Sequence, residues 1–75
     1  MKTAKEIGND LAGLRGETPR SVVADAVGVS VSAMQMYENG ERVPRDETKV
    51  ALAEYFKTSV GALFFGEKVH DACTS

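Results

Sequence analysis

Gly28 is the residue that most limits how this chain can fold. Upstream of it, Val22, Val23, Ala26 and Val27 recur three or four apart, the spacing of an apolar helix face. Glycine adopts the left-handed conformation that ends a helix and turns the chain sharply, so this pattern predicts a helix that stops at Gly28. Ser30 follows as an N-cap, and Val31 to Glu38 then carries Met34 and Tyr37 three apart, with Ala33 beside them. Asn39-Gly40 suits a C-terminal cap, and Pro44 prevents a smooth continuation. The stretch from Ala24 to Pro44 thus reads as the end of one helix, a tight turn, a second helix and a glycine stop.

Two helices about a short glycine-containing turn make the helix-turn-helix motif, and the flanking sequence supplies further helices. Thr3-Ala4-Lys5-Glu6 fits a capping box, and Ile7, Leu11 and Leu14 follow at helical spacing, so helix one spans about Ala4 to Arg15. Thr18 reads as an N-cap with Pro19 at the first helical position, where a missing N–H costs nothing; helix two then runs from Pro19 to about Val27. Asp46 to Phe56 reads as helix four, with Val50, Leu52, Ala53 and Phe56 available for burial. Thr58-Ser59 caps a short fifth helix, Val60 to Phe65, closed by Gly66. No strand pattern or internal repeat interrupts this all-α reading. The expected organisation is one domain at 1–66 and a frayed polar tail at 67–75.

A chain of 75 residues, 43% of them hydrophobic, can build one small core. The single cysteine, Cys73, lacks a bridging partner in the chain and points to a reducing compartment. The N-terminal MKTAKEIGND has no apolar signal core, and the run near Val60 to Phe65 is too short to span a bilayer, so the expected location is cytoplasmic, away from membranes. Chemistry finds little material. The lone histidine, His70, and Cys73 stand in the tail with no positioned acid or base, and His70-x-x-Cys73 is too small a ligand set for a metal. Glu6/Asp10 and Asp46/Glu47 read as solvated charge on helix faces. No catalytic residue, metal or cofactor is expected, and the chain does not read as an enzyme.

Leu11-x-x-Leu14-Arg15, Val23-Ala24-x-x-Val27-Gly28-Val29-Ser30, Tyr37-Glu38-Asn39-Gly40 with Arg42 and Pro44, and Leu52-Ala53-x-x-Phe56 before Ser59-Val60 occur in this order. In that arrangement the chain resembles the lambda-repressor-like helix-turn-helix domains of phage repressors, Cro-type proteins and related bacterial regulators, over about Leu11 to Phe65. The YENGERVPRDE run is similar to regulators of phage and mobile-element origin. The resemblance implies a compact five-helix domain in which helices two and three form the helix-turn-helix. Departures from the pattern lie in the link from Arg15 to Arg20, which is shorter than usual, and in Arg20, where a glutamine is common. Val31 stands where a polar reader is common, and Gly61 and Ala62 replace acidic residues of the last helix.

Helix three must bury one face, here Ala33, Met34 and Tyr37, and offer the other, which comprises Val31, Ser32, Gln35 and Met36 with Asn39 at the far end. A glutamine pairs bidentately with adenine, a valine meets a thymine methyl and a serine hydroxyl adapts to either, so these four are the expected base readers. Phosphate contacts are expected from Arg20, Arg42, Arg45 and Lys49, and from Asn39, whose position the resemblance implies for a backbone contact. Arg15 and Glu38 lie on the edges of their apolar stripes and are expected to form a structural ion pair. In similar domains such a pair joins helix one to helix three.

Net charge −2 and a pI near 5.3 run against the basic footprint usual for a DNA binder. The acids Glu6, Asp10, Glu17, Asp25, Glu54, Glu67 and Asp71 lie outside the expected contact surface, and Val31 to Tyr37 carries no charge. Few phosphate contacts per subunit imply weak non-specific binding and reliance on a homodimer, with Phe65 and its surroundings as the candidate dimer surface. The leading expectation is a repressor or Cro-like regulator of double-stranded DNA that reads a palindromic operator, with control left to concentration or to a regulatory protein partner. The alternative is a protein-interaction module on the same scaffold, such as an antitoxin or anti-repressor, which the acidic pI favours.

Overall fold

Helix boundaries follow from the local chemistry of the caps. The computed structural model describes residues 2–66, and the tail expected at 67–75 lies outside them. Helix α1, Ala4–Arg15, opens on a complete capping box: the Thr3 hydroxyl accepts from the Glu6 N–H while the Glu6 carboxylate accepts from the Thr3 N–H. Helix α2, Arg20–Val27, ends at Gly28, whose φ of 79° is left-handed and lets the Val29 N–H reach back to the Ala24 carbonyl. Helix α3, Val31–Glu38, begins where the Ser30 hydroxyl accepts from the Ala33 N–H. Helix α4 is Asp46–Tyr55, and α5, Val60–Phe64, starts on the Ser59 hydroxyl. Among the described residues all regular structure is helical, and no helix is long and apolar enough to cross a membrane.

Three readings of the local sequence are corrected. Thr18 is not the cap of α2: its N–H donates to the Arg15 carbonyl and its own carbonyl accepts from Arg15 Nη1, so Thr18 folds back on the end of α1 beyond the Gly16 cap, and Pro19 becomes the N-cap of α2. Helix α4 stops at Tyr55 and α5 at Phe64, with Phe56 and Phe65 as their C-caps. Leu14, Val22 and Val50, expected on apolar stripes, are 47%, 49% and 48% exposed. The stripes that pack are narrower than the apolar residues available. Leu14 lines an open groove with Gly13, Thr58 and Ala62, while α2 turns Val23 and Ala24 inward and α4 turns Leu52 and Ala53.

The core gathers Ile7 and Leu11 of α1, Val23 of α2, Met34 of α3, Leu52 of α4 and Phe64 of α5, each with essentially no exposed surface. Burial of each such side chain contributes about 2 kcal/mol, and every helix supplies at least one. The Lys2 N–H donates to the Phe64 carbonyl at 3.0 Å, tying the start of the chain to α5. Around this core α3 is held between α1 and α2.

Helix α1 meets the last turn of α3 backbone to backbone. A Cβ on Gly8 would stand 2.5 Å from the carbonyl oxygens of both Tyr37 and Glu38, so only glycine permits this approach. Beside it, the Glu38 side chain is 3% exposed and is held by two arginines. Arg15 donates from Nε to Oε2 at 2.6 Å and from Nη2 to Oε1 at 3.0 Å. Arg20 donates from Nε and Nη2 to Oε1 at 3.2 and 3.0 Å. Burial pushes the Glu38 carboxyl upward, but the hydrogen bonds and charges of Arg15 and Arg20 outweigh it and hold the group below the ordinary carboxylate value. The same hydrogen bond with Glu38 holds the Arg15 guanidinium above its ordinary value.

Gly8→Ala forces the added methyl into two carbonyl oxygens, and a loss of about 1–3 kcal/mol is expected. A thermal melt within a degree of wild type would show that α1 and α3 do not meet so closely. Glu38→Ala leaves two guanidinium groups without their anion and is expected to cost about 3 kcal/mol. The acid dependence has a definite sign. Because Glu38 is depressed in the folded state, its contribution is whole above the ordinary carboxylate range and fades as pH falls through the folded value. Denaturant unfolding should therefore show the stability gap between wild type and Glu38→Gln narrowing as the solution is acidified, and a gap independent of pH would refute the assignment.

Candidate nucleic-acid interface

The exposed side of α3 is produced by what its other side buries. Met34, Tyr37 and Glu38 point inward, and Ala33 is half-buried at the edge. A helix places residues three and four apart on one face, so Val31, Ser32 and Gln35 are left outward; all three are exposed and Val31 retains 44% of its surface. Met36 is half-buried on the flank. Asn39 caps the helix and is exposed, its N–H donating to the Gln35 carbonyl. The structure thus brings Val31, Ser32 and Gln35 together on one surface, with Met36 at its margin and Asn39 at its end.

The chain then passes through an irregular segment in which Glu41, Arg42 and Val43 are exposed and Pro44 is buried. Arg42 and Arg45 both stand in solvent, and neither forms an ion pair with a described residue. Arg45 is the N-cap of α4 by backbone conformation alone, since a guanidinium has no acceptor for the helix N–H groups.

Two of the cations expected at phosphates are placed otherwise. Arg20 directs two of its nitrogens to the buried Glu38. Lys49 is buried: its ammonium lies 5.8 Å from the ring centre of Phe64, 5.2 Å from that of Phe65 and 3.7 Å from the Asp46 carboxylate. Cation–π attraction holds the ammonium at the α4–α5 contact, with the solvent-exposed Asp46 carboxylate on its outer side. Of the four cationic residues expected at phosphates, Arg42 and Arg45 are the two that face solvent unpaired among the described residues. Phe65 keeps 43% of its surface exposed next to it.

An open cleft of about 590 Å³ runs beside α3, walled by Ser21, Val22 and Asp25 of α2, by Val29 and Ser30 of the turn and by Val31. Val22 and Asp25 line this cleft, although the sequence reading placed Val22 in the apolar stripe and Asp25 outside the contact surface. The signal was present in the spacing, because Val22 and Asp25 are three apart and flank the pair Val23-Ala24 that α2 turns inward. Val22 and Val31 make the cleft apolar on both walls, and Asp25 puts a carboxylate at its edge.

Comparison with known proteins agrees with this geometry. The helix-turn-helix family model matches residues 18–63, more than half of the chain and the whole of α2, α3 and α4. No curated protein and no solved structure matches the chain. With five helices, a glycine-ended α2, a serine-capped α3 and this match, the chain belongs to the lambda-repressor-like helix-turn-helix family of DNA-binding regulators.

Proposed function

We propose that the protein is a cytoplasmic, sequence-specific transcriptional repressor that places α3 and its cap, residues 31–39, in the major groove of a palindromic operator as a homodimer. The observation that carries this reading is the outward face of α3, an uncharged set of side chains held rigidly between a serine cap at one end and the α1 contact at the other. Gln35 presents one donor and one acceptor for an adenine edge, Val31 an apolar surface for a thymine methyl, and Ser32 a hydroxyl that serves as donor or acceptor. Met36 adds an apolar contact at the margin. Asn39, Arg42 and Arg45 supply the phosphate contacts, which set register and most of the affinity without reading sequence.

Dimerisation follows from the small reach of one helix, which reads only a few base pairs; two-fold symmetry doubles the site. Phe65, exposed at the end of α5, is the residue we assign to that contact. With an acidic net charge of −2, the monomer gains little from non-specific attraction to DNA, so pairing supports occupancy at moderate concentration. Control by a regulatory protein partner would act on the same assembly. The acidic charge also favours a second reading, in which the scaffold docks onto a protein as an antitoxin or anti-repressor does. No catalytic step enters either reading.

Selection of bound duplexes from a random pool at fixed low salt should return a palindrome from wild-type protein. Its half-site preference should shift at one position in Gln35→Ala, with a loss of about 1–3 kcal/mol against the original site. Folded wild-type protein that enriches no sequence would defeat the DNA reading and move the weight to a protein partner.

A further inference from the structure

We infer that Arg20 is a positioning residue, a strut across the open ends of the α2–α3 pair that sets how the reading face is presented, acting through Glu38 and not through a DNA phosphate. The inference rests on α3 being the reading helix.

The two helices are joined at Gly28–Ser30, which ties the C-terminal end of α2 to the N-terminal end of α3. Their opposite ends are Arg20, the first residue of α2, and Glu38, the last residue of α3. These are the two residues that the guanidinium connects, with Nε and Nη2 both donating to Oε1. A hinge at one end and a crossbar at the other fix the angle between two short rods. The apolar hold on α2 comes from small side chains, Val23 and Ala24 buried and Val27 at the edge of the core.

Helix preference does not explain an arginine at this position, because the first turn of a helix favours anions and disfavours cations. Its inward hydrogen bonds do, since the side chain keeps only 31% of its surface and faces a carboxylate that is 3% exposed. The anchor is itself rigid. Glu38 is pinned by Arg15 from α1, and the backbone of its turn lies against Gly8. Arg20 therefore joins α2 to the part of α3 that can move least.

A strut and a phosphate ligand lose different things on mutation. Loss of a phosphate contact weakens specific and non-specific binding alike and lowers the salt slope by about one. Loss of a strut misplaces the base readers, so discrimination falls while the number of phosphates neutralised stays the same.

The test compares wild type, Arg20→Gln and Arg20→Lys, with Arg42→Gln as the phosphate-contact comparator. Affinity for the selected operator and for a scrambled duplex of equal length is measured across a salt series, and backbone amide exchange is followed without DNA. Arg20→Gln should lose operator affinity about tenfold or more, the size of a charge-assisted hydrogen bond, with scrambled-duplex affinity and salt slope unchanged. Arg20→Lys should show the same loss of discrimination, because an ammonium lacks the planar fork that spans to Oε1. Without DNA, α2 amides should exchange about tenfold faster in both variants while those of α1 and α5 keep their rates. Equal loss on both duplexes with a reduced slope, as expected for Arg42→Gln, or full recovery of discrimination in Arg20→Lys, would overturn the inference. If wild-type protein prefers no sequence, the DNA reading fails by itself, and unchanged α2 exchange would then overturn the strut.

Discussion

The carboxylate of Glu38 is the point on which the arrangement of the first three helices depends. It is almost fully removed from water, yet it stays ionised because Arg15 from α1 and Arg20 from α2 supply four N–H donors between them. A buried charge without such partners costs several kcal/mol, so the three elements must arrive in one relative placement for the group to be tolerated. Apolar contacts among Leu11, Val23 and Met34 would accept small rotations and slides. Directional hydrogen bonds to one oxygen pair accept far fewer.

Close backbone contact extends the same constraint. Gly8 lets α1 rest on the carbonyl oxygens of Tyr37 and Glu38, so the end of α3 is fixed by sterics as well as by charge. The N-terminal end of α3 is set by Ser30 and by the left-handed Gly28. A helix of eight residues, too short to be stable alone, is thereby held at both ends while one face remains open to solvent. That rigidity suits a reading surface, since side chains on a fixed helix lose little freedom when they meet a base edge. The outward set of Val31, Ser32 and Gln35 carries no charge, and the solvent-facing cations Arg42 and Arg45 lie beyond the end of the helix. Under the proposed function, position and sequence reading would thus fall to different residues.

Much of this was legible in the residues. Gly28 and Ser30 located the turn between α2 and α3, and Thr3 with Glu6 located the start of α1, because caps and left-handed turns depend on side chains close in sequence. The outward face of α3 was legible for a similar reason, since helical spacing alone puts Val31, Ser32 and Gln35 opposite Met34 and Tyr37. Thr18 was misread because its cap preference is local, whereas its actual partners are the backbone and guanidinium of Arg15 at the end of the preceding helix. Val22, Leu14 and Val50 were misread because apolar spacing says which residues share a face and not how wide a face the neighbouring helices will cover.

The sequence by itself determined the number of helices, most of their limits to the residue and the side of α3 that could meet a ligand, all of which rest on interactions between residues a few positions apart. Tertiary structure alone decided the fate of the charges. Arg20, Arg42, Arg45 and Lys49 all read as surface cations along the chain, with Asp46 and Glu47 beside the last two. Folding turned Arg20 onto Glu38, eighteen positions away, and Lys49 onto the rings of Phe64 and Phe65, leaving Arg42 and Arg45 in solvent. The physical reason is that a long cationic side chain goes to the anion or aromatic face within its reach, and which of these lies within reach is known only once the helices have packed.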